Sequence, residues 1–170
     1  MTDLKLGDRH SRQIDGLGMV AEPKVVELRV GHVGGSIPCQ HLLACLVNLL
    51  ARLHGTVRCI VLKVGGELQV ALPNALSPHN AFSAMVDLAL WANGGRIPVV
   101  AFANSADIVV DISLEPGPSA SLYGWGSGWK SWVGRSPPRF DRNNDNPDCL
   151  GPYFAAALVA AEVFKLSRGL

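Results

Sequence analysis

The sequence predicts an α/β fold in three layers, a mostly parallel sheet with helices on both faces. Three observations predict it. Val57–Val64 is a β-branched run whose centre is continuously apolar, the pattern of a strand covered on both sides. Just before it, Leu42, Leu43, Leu46, Leu49, Leu50 and Leu53 recur at helical spacing. Strand-like and helix-like stretches then alternate along the chain, as they do where helices cross between parallel strands.

Taken in order, residues 1–22 are charged, contain Gly16 and Gly18 and keep no period. They are expected to be a flexible lead-in to a single domain over 23–170. Lys24–Val30 reads as the first strand, broken by Gly31-His32-Val33-Gly34-Gly35-Ser36. A helix is predicted from Ile37 to His54, with Ser36 as N-cap, Pro38 in the first turn and Gly55 as the stop. Val57–Val64 is the second strand. Gly65-Gly66 turns the chain, Glu67–Leu72 is read as a short extra strand and Pro73–His79 as a loop. Asn80 or Ser77 caps a second helix, Ala81–Ala92, which Asn93-Gly94-Gly95 ends. Ile97–Phe102 and Asp107–Leu114 are the third and fourth strands.

Glu115–Pro138 changes character, with Pro116, Pro118 and a Gly/Trp-rich stretch. Ser121–Tyr123 and Lys130–Val133 are predicted to form a hairpin across Gly124–Gly128. Residues 136–148 are a polar Pro- and Asn-rich loop, expected to be mobile. The last run, Gly151–Lys165, is a helix in which only Glu162 and Lys165 are charged. Its Gly-Pro start suits a first turn, and its five alanines let other backbone come close. Such a helix should rest one face on the sheet and leave an alanine-rich face for docking.

Bulk composition narrows the function classes. The chain has 170 residues, 48% apolar and only 17% charged. Fifteen basic and 14 acidic residues leave a net charge of +1 and no electrostatic footprint for nucleic acid. No uninterrupted apolar run reaches membrane-spanning length, and the first twenty residues are not patterned like a signal peptide. Cys39, Cys45, Cys59 and Cys149 form no C-x-x-C pair. Reduced thiols and a cytoplasmic location are the expectation, with neither nucleic acid nor membrane as partner.

Four constellations bear on chemistry. The turn Gly31, Gly34, Gly35, Ser36 stands between strand and helix, where a phosphate cradle would stand. Its spacing is neither G-x-G-x-x-G nor G-x-x-x-x-G-K-[ST], so a plain strand–helix turn is the simpler reading. His32, Cys39, His41 and Cys45 include one helical i, i+4 pair, His41 and Cys45, which is too few ligands for zinc. Ser36, His32 and Asp107 or Asp111 supply the residue types of a nucleophile and base, without the G-x-S-x-G elbow. Asp107 and Asp111 fall on one side of a strand as possible paired carboxylates or solvated strand ends. Finally, Tyr123, Trp125, Trp129 and Trp132 lie within ten residues, interleaved with glycines. They are candidates for a partner-binding patch or for internal packing. No catalytic residue and no metal ligand set is assigned.

Several stretches resemble a family. These are Ala106-Asp107-Ile108-Val109-Val110-Asp111 through Pro118, the Gly124–Trp132 turn, Asn146-Pro147, and Gly151–Lys165. Together with Leu49-Leu50-Ala51-Arg52-Leu53 upstream, they resemble bacterial ThiF-family (E1-like) proteins, in the part that precedes the adenylation domain. The resemblance runs over about 24–166 and implies a Rossmann-like fold. It also implies a place in a system that adenylates the C-terminus of a ubiquitin-like or sulfur-carrier protein. ATP and Mg²⁺ are implied only for the associated adenylation domain, since this chain carries none of that domain's motifs as a set. The chain is therefore expected to be a catalytically silent companion. Its partner would be an E1-like adenylation domain, in cis or in trans, with a ubiquitin-like protein as a further partner. Two other readings stand beside it: a nucleotide-binding enzyme using Gly31–Ser36, and a homo-oligomeric structural protein joined by its last helix and Trp hairpin.

Overall fold

The computed structural model of the chain describes residues 22–72, 75–77, 79–140, 146 and 148–170. The expected lead-in lies almost wholly outside the described residues, as do Pro73, Asn74 and Pro78 of the predicted loop and residues 141–145 and 147 of the polar stretch before the last helix. The elements are β1 (Lys24–His32), a 3-10 turn (Val33–Gly35), α1 (Ile37–Leu50), β2 (Val57–Gly65), α2 (Ala81–Asn93), β3 (Val99–Val100), β4 (Ile108–Asp111), β5 (Leu122–Ser127), β6 (Lys130–Gly134) and α3 (Leu150–Ser167). They form one six-stranded sheet in the order β3-β2-β1-β4-β5-β6. Every neighbouring pair is parallel except the β5–β6 hairpin.

The predicted local signals act where they were expected. Ser36 Oγ accepts from the Cys39 N–H at 3.3 Å and caps α1. Asn80 Oδ1 accepts from the Ser83 N–H at 2.9 Å and caps α2. Gly94, in the left-handed region at φ 64°, ends that helix with its N–H on the Leu90 carbonyl. Of the two glycine-flanked ends, only the one before Gly55 departs from expectation. The helix stops at Leu50, and the chain then makes a turn in which the Thr56 and Val57 N–H groups both donate to Leu53 O. Leu53 keeps its helical spacing in sequence and still packs on the core from that turn.

The α/β class and the mostly parallel, Rossmann-like sheet are as the sequence predicts. The expectation of helices on both faces is corrected: α1 packs beside both α2 and α3, so the three described helices share one face. Val26, Leu28, Val30, Ile60, Leu62 and Val110 point into the core beneath them. The opposite face is crossed by extended links. Residues 101–107 return from β3 to β4, and residues 112–121 join β4 to β5. Arg29 and Lys63, which alternate with the core residues of their strands, hold those links. Lys63 Nζ donates to Ala101 O at 2.8 Å, and Arg29 Nη1 to Ser119 O at 3.2 Å. The physical reason is length and composition. A right-handed crossover toward β5 has to pass over that face. Neither link is long enough for a helix of ordinary length, and Pro116-Gly117-Pro118 would break one.

Two further corrections concern short elements. Glu67–Leu72 is not a strand; it makes one isolated bridge, Glu67 to Asn80. The buried side chain of Gln40 takes the place of a partner strand. Its Oε1 accepts from the Gln69 and Val70 N–H groups at 2.9 and 3.1 Å, and its Nε2 donates to Val70 O. The third and fourth strands are shorter than Ile97–Phe102 and Asp107–Leu114, because only Val99–Val100 and Ile108–Asp111 have strand neighbours to pair with.

The hairpin and α3 meet in a seam of glycines. β5 points Gly124 and Gly126 at the helix. A Cβ on Gly126 would stand 2.6 Å from Pro152 N and Cα, and one on Gly124 would stand 2.7 Å from Val159 Cγ2. A Cβ on Gly151 would strike the Lys130 carbonyl. The Gly151 N–H donates to Gly128 O at 2.6 Å, so the hairpin turn itself satisfies a free donor at the start of α3, which lacks a side-chain cap. Gly126→Ala is expected to lower stability by about 1–3 kcal/mol through overpacking, read as a lower urea midpoint. Gly35→Ala, which meets nothing within 4 Å, should stay within about 0.5 kcal/mol of the parent.

Candidate functional site

In an open α/β sheet the favoured ligand crevice lies at the carboxyl ends of the strands, where the strand order reverses. Here that point lies between β1 and β4. Gly31, one residue before the end of β1, has φ 70°, Gly34 and Gly35 sit in the 3-10 turn, and Ser36 caps α1. The donors of the first helical turn are largely committed. Pro38 has no N–H, that of Cys39 goes to Ser36 Oγ, and that of Gln40 to Ser36 O. The crevice itself is filled. A cavity of about 10 Å³ remains among Ser36, Pro38, Cys39, Ile112, Leu114 and Trp125, room for a single water at most. The turn is built as a strand–helix connection.

Asp111 stands on the far side of the same point, buried, and each carboxylate oxygen is engaged. Oδ1 accepts from the Ser113 N–H at 2.9 Å and from its hydroxyl at 2.5 Å; Oδ2 accepts from the Gly117 N–H at 2.9 Å. It shapes the link to β5. Asp107 is at the other end of β4, roughly 13 Å along a strand. There its Oδ2 accepts from the Val25 N–H at 2.7 Å, and its own N–H donates to Val25 O. The two carboxylates are thus separate backbone clamps and not a pair. Ser36 is a cap and His32 packs over Gly66, so the residue types of a nucleophile and base are not brought together.

The Cys/His group divides in the same way. Cys39 is buried, with Sγ 3.8 Å from Ile112 O. His41 and Cys45 do share a face of α1. His41 Nδ1 lies 3.2 Å from the Tyr153 hydroxyl of α3, with the rings edge to face. Desolvation lowers the His41 pKa and raises that of Cys45. It also raises Tyr153, to which the neighbouring Cys149 and Cys45 thiols add. Among the described residues, no three His, Cys, Asp or Glu side chains converge closely enough to hold a metal ion.

The aromatic cluster is split by strand alternation. Tyr123 and Trp125 are buried on the link-covered face. The Tyr123 hydroxyl donates to Gly117 O at 2.9 Å and accepts from the Ala120 N–H at 3.1 Å. Trp125 and the half-buried Trp132 both meet Phe140 edge to face, at 5.0 and 5.8 Å. Only Trp129, at the hairpin turn, is open to solvent, at 75% exposure. Internal packing therefore accounts for Tyr123, Trp125 and much of Trp132, and Trp129 alone keeps the features of a docking residue. The signal that separates them is in the sequence: Leu122, Gly124 and Gly126 alternate with Tyr123, Trp125 and Ser127, and glycines within a strand mark close approach of other backbone.

The larger surface feature is the outer side of α3. Gly151, Pro152, Ala155, Ala156, Val159, Ala160 and Val163 are buried, while Tyr153, Phe154 and Leu158 are 44%, 55% and 48% exposed. Ala157 and Ala161 continue this arc. Beside it runs an apolar groove of about 460 Å³ between α1 and α3, lined by Leu49, Leu53, Ala157, Ala160, Ala161 and Phe164, with Lys165 at its end. Among the described residues α3 is the one helix long and apolar enough to span a membrane, yet its other face is laid on the sheet of this domain. α3 does leave an exposed apolar face, and it is wider and more aromatic than its alanines alone suggested.

No protein-family model matches the chain, and no curated protein or solved structure matches it.

Three of the thiols test the local electrostatics. Burial raises the pKa of Cys45, Cys59 and Cys149, with Asp148 adding to Cys149 and Arg58 partly offsetting Cys59. The thiolate is the nucleophile, so a raised pKa slows alkylation at neutral pH. All three should react with iodoacetamide more slowly than free cysteine at pH 7.5, and their rates should still be climbing at pH 9. Rates that level off by pH 8, followed by peptide mass mapping, would contradict this.

Proposed function

We propose that this chain is a catalytically silent Rossmann-like companion in a ThiF/E1-like system. In such a system the C-terminus of a ubiquitin-like or sulfur-carrier protein is adenylated. Its part is to pack against the adenylation domain, in cis or in trans, through the outer face of α3. The observation that carries the proposal is the apolar arc Tyr153, Phe154, Ala157, Leu158 and Ala161 beside the α1–α3 groove. Contiguous exposed apolar surface of this kind marks a protein–protein contact. The partner's identity rests on the resemblance of Asp107–Asp111, the Gly-Trp turn and the last helix to that family. Two features support a non-catalytic part: the crevice at the β1–β4 boundary is filled, and the carboxylates and hydroxyls around it are spent on backbone.

The same arc also favours a second reading, self-association of this chain, and one set of experiments separates the two. Co-expression with a protein bearing a G-x-G-x-x-G adenylation domain is expected to yield a stable complex. Phe154→Asp with Leu158→Asp should cut its recovery at least about tenfold, since each buried charge costs more than one 1.4 kcal/mol decade. Trp129→Ala should weaken it less. Light scattering of the chain alone should give a monomer. A dimer disrupted by the same two aspartates, with no complex formed, would replace the proposal by self-association.

A further inference from the structure

A second opening lies on the helical side, away from the α1–α3 groove. It is a cleft of about 320 Å³ between α1 and α2, closed at one end by the first turn of α3. That volume is in the range of small-molecule sites. Its origin is compositional. Ala44 on α1 and Ala84 on α2 face it, so the two helices meet there through methyl groups, and their separation leaves a slot. Two aromatic rings line it, Trp91 from α2 and Tyr153 from α3. Trp91 is 70% exposed, far more than a core tryptophan.

The polar groups in the cleft are few: Asp87, Asn48, the Cys45 thiol and the Tyr153 hydroxyl, which lies 3.2 Å from His41 Nδ1. Asp87 is its only charged lining residue among those described. One carboxylate oxygen accepts from the Leu76 N–H at 2.7 Å, and the other is uncommitted among the described residues. Asn48 uses its oxygen on Arg52 Nε at 3.0 Å, which leaves its NH₂. Among the described residues, no Lys, Arg or His lines the space. An alanine-floored slot with aromatic edges favours a flat ring, and a lone carboxylate favours a cation over an anion.

We propose that the α1–α2 cleft is a binding site for a small planar aromatic ligand carrying a protonated amine. The ring occupies the slot between Ala44 and Ala84 against Trp91 and Tyr153, and the ammonium donates to Asp87. The site shares Tyr153 with the docking face on α3, and its other lining residues lie on α1, α2 and the loop before α2.

The probes are tryptamine, indole and indole-3-acetate, which share a ring and differ in charge. Ligand-observed saturation-transfer NMR with titration reads binding to the full chain. Tryptamine is expected to bind saturably and about tenfold more tightly than indole-3-acetate, one decade for one charge-assisted contact. Asp87→Asn should remove most of that preference while indole binding persists. Ala44→Leu, which fills the slot from a half-buried position, should abolish binding of all three. Trp91→Ala, at an exposed position, should weaken all three at least about threefold with the circular dichroism spectrum unchanged, and it carries the test if Ala44→Leu does not fold. Absence of saturable tryptamine binding would overturn the proposal. So would binding that survives both cleft variants, or equal affinity for the cation and the anion.

Discussion

The structure depends on how closely one strand and one helix approach. β5 and the start of α3 touch through glycines, Gly124 and Gly126 on the strand and Gly151 on the helix, at distances that leave no room for a Cβ. The contact brings the Gly151 donor onto the Gly128 carbonyl, which joins the hairpin turn to the helix N-terminus without a side-chain cap. From that anchor the helix runs down the sheet beside α1, burying Ala155, Ala156, Val159, Ala160 and Val163. A bulkier strand face would lift the helix off the sheet. The apolar arc, the groove against α1 and the closed end of the α1–α2 cleft all inherit their positions from this seam.

The second organising constraint is the division of the sheet. The half built from β1, β2 and β3 is connected by α1 and α2, which lie on one face. The half built from β4 and β5 is connected by extended chain that lies on the other. Side chains replace secondary structure on that second face: Asp111, Arg29, Lys63 and the Tyr123 hydroxyl together hold Gly117, Ser119, Ala101 and Ala120. The crevice at the boundary, which in this class of sheet is the natural place for a ligand, is occupied by Leu114, Trp125 and Pro38. Among the described residues, the two larger openings described above are on the helical side instead.

Much of the fold was legible in the sequence because its signals are local. Ser36, Asn80 and Gly94 do what cap chemistry requires, and the continuous apolar run of β2 is central in the sheet. What was not legible depends on contacts between distant residues. Gln40 lies in a leucine-rich helix and gives no hint that its amide will take the backbone bonds of Gln69 and Val70. The layering depended on link length: the strands were visible, but a third layer also needs crossovers long enough to be helices, and Pro116-Gly117-Pro118 argued against one. For the candidate site, the alanine-rich last helix pointed to an exposed apolar face, while the tryptophan cluster was mixed. Tyr123 and Trp125 lie on the link-covered side of an alternating strand, opposite the glycines that meet α3, and those glycines carried that information. Ala44, Ala84, Asp87 and Trp91 are ordinary helix residues in sequence. Their meeting around a cleft is a property of how α1 and α2 are spaced.

The strand order also has a consequence for how the chain assembles. β1, β2 and β3 pair with neighbours close in sequence, across α1 and α2. β4 must instead find the far edge of β1, where Val25 and Asp107 exchange hydrogen bonds across 82 positions. Local pairings form faster than distant ones, because loop closure costs entropy before the contact is made. During that interval β1 presents a bare edge with Val26, Leu28 and Val30 along it, the kind of edge that recruits foreign strands. Each chain is therefore most vulnerable to misassembly at its central strand, and Asp107, which draws β4 onto that edge, marks the end of that exposure.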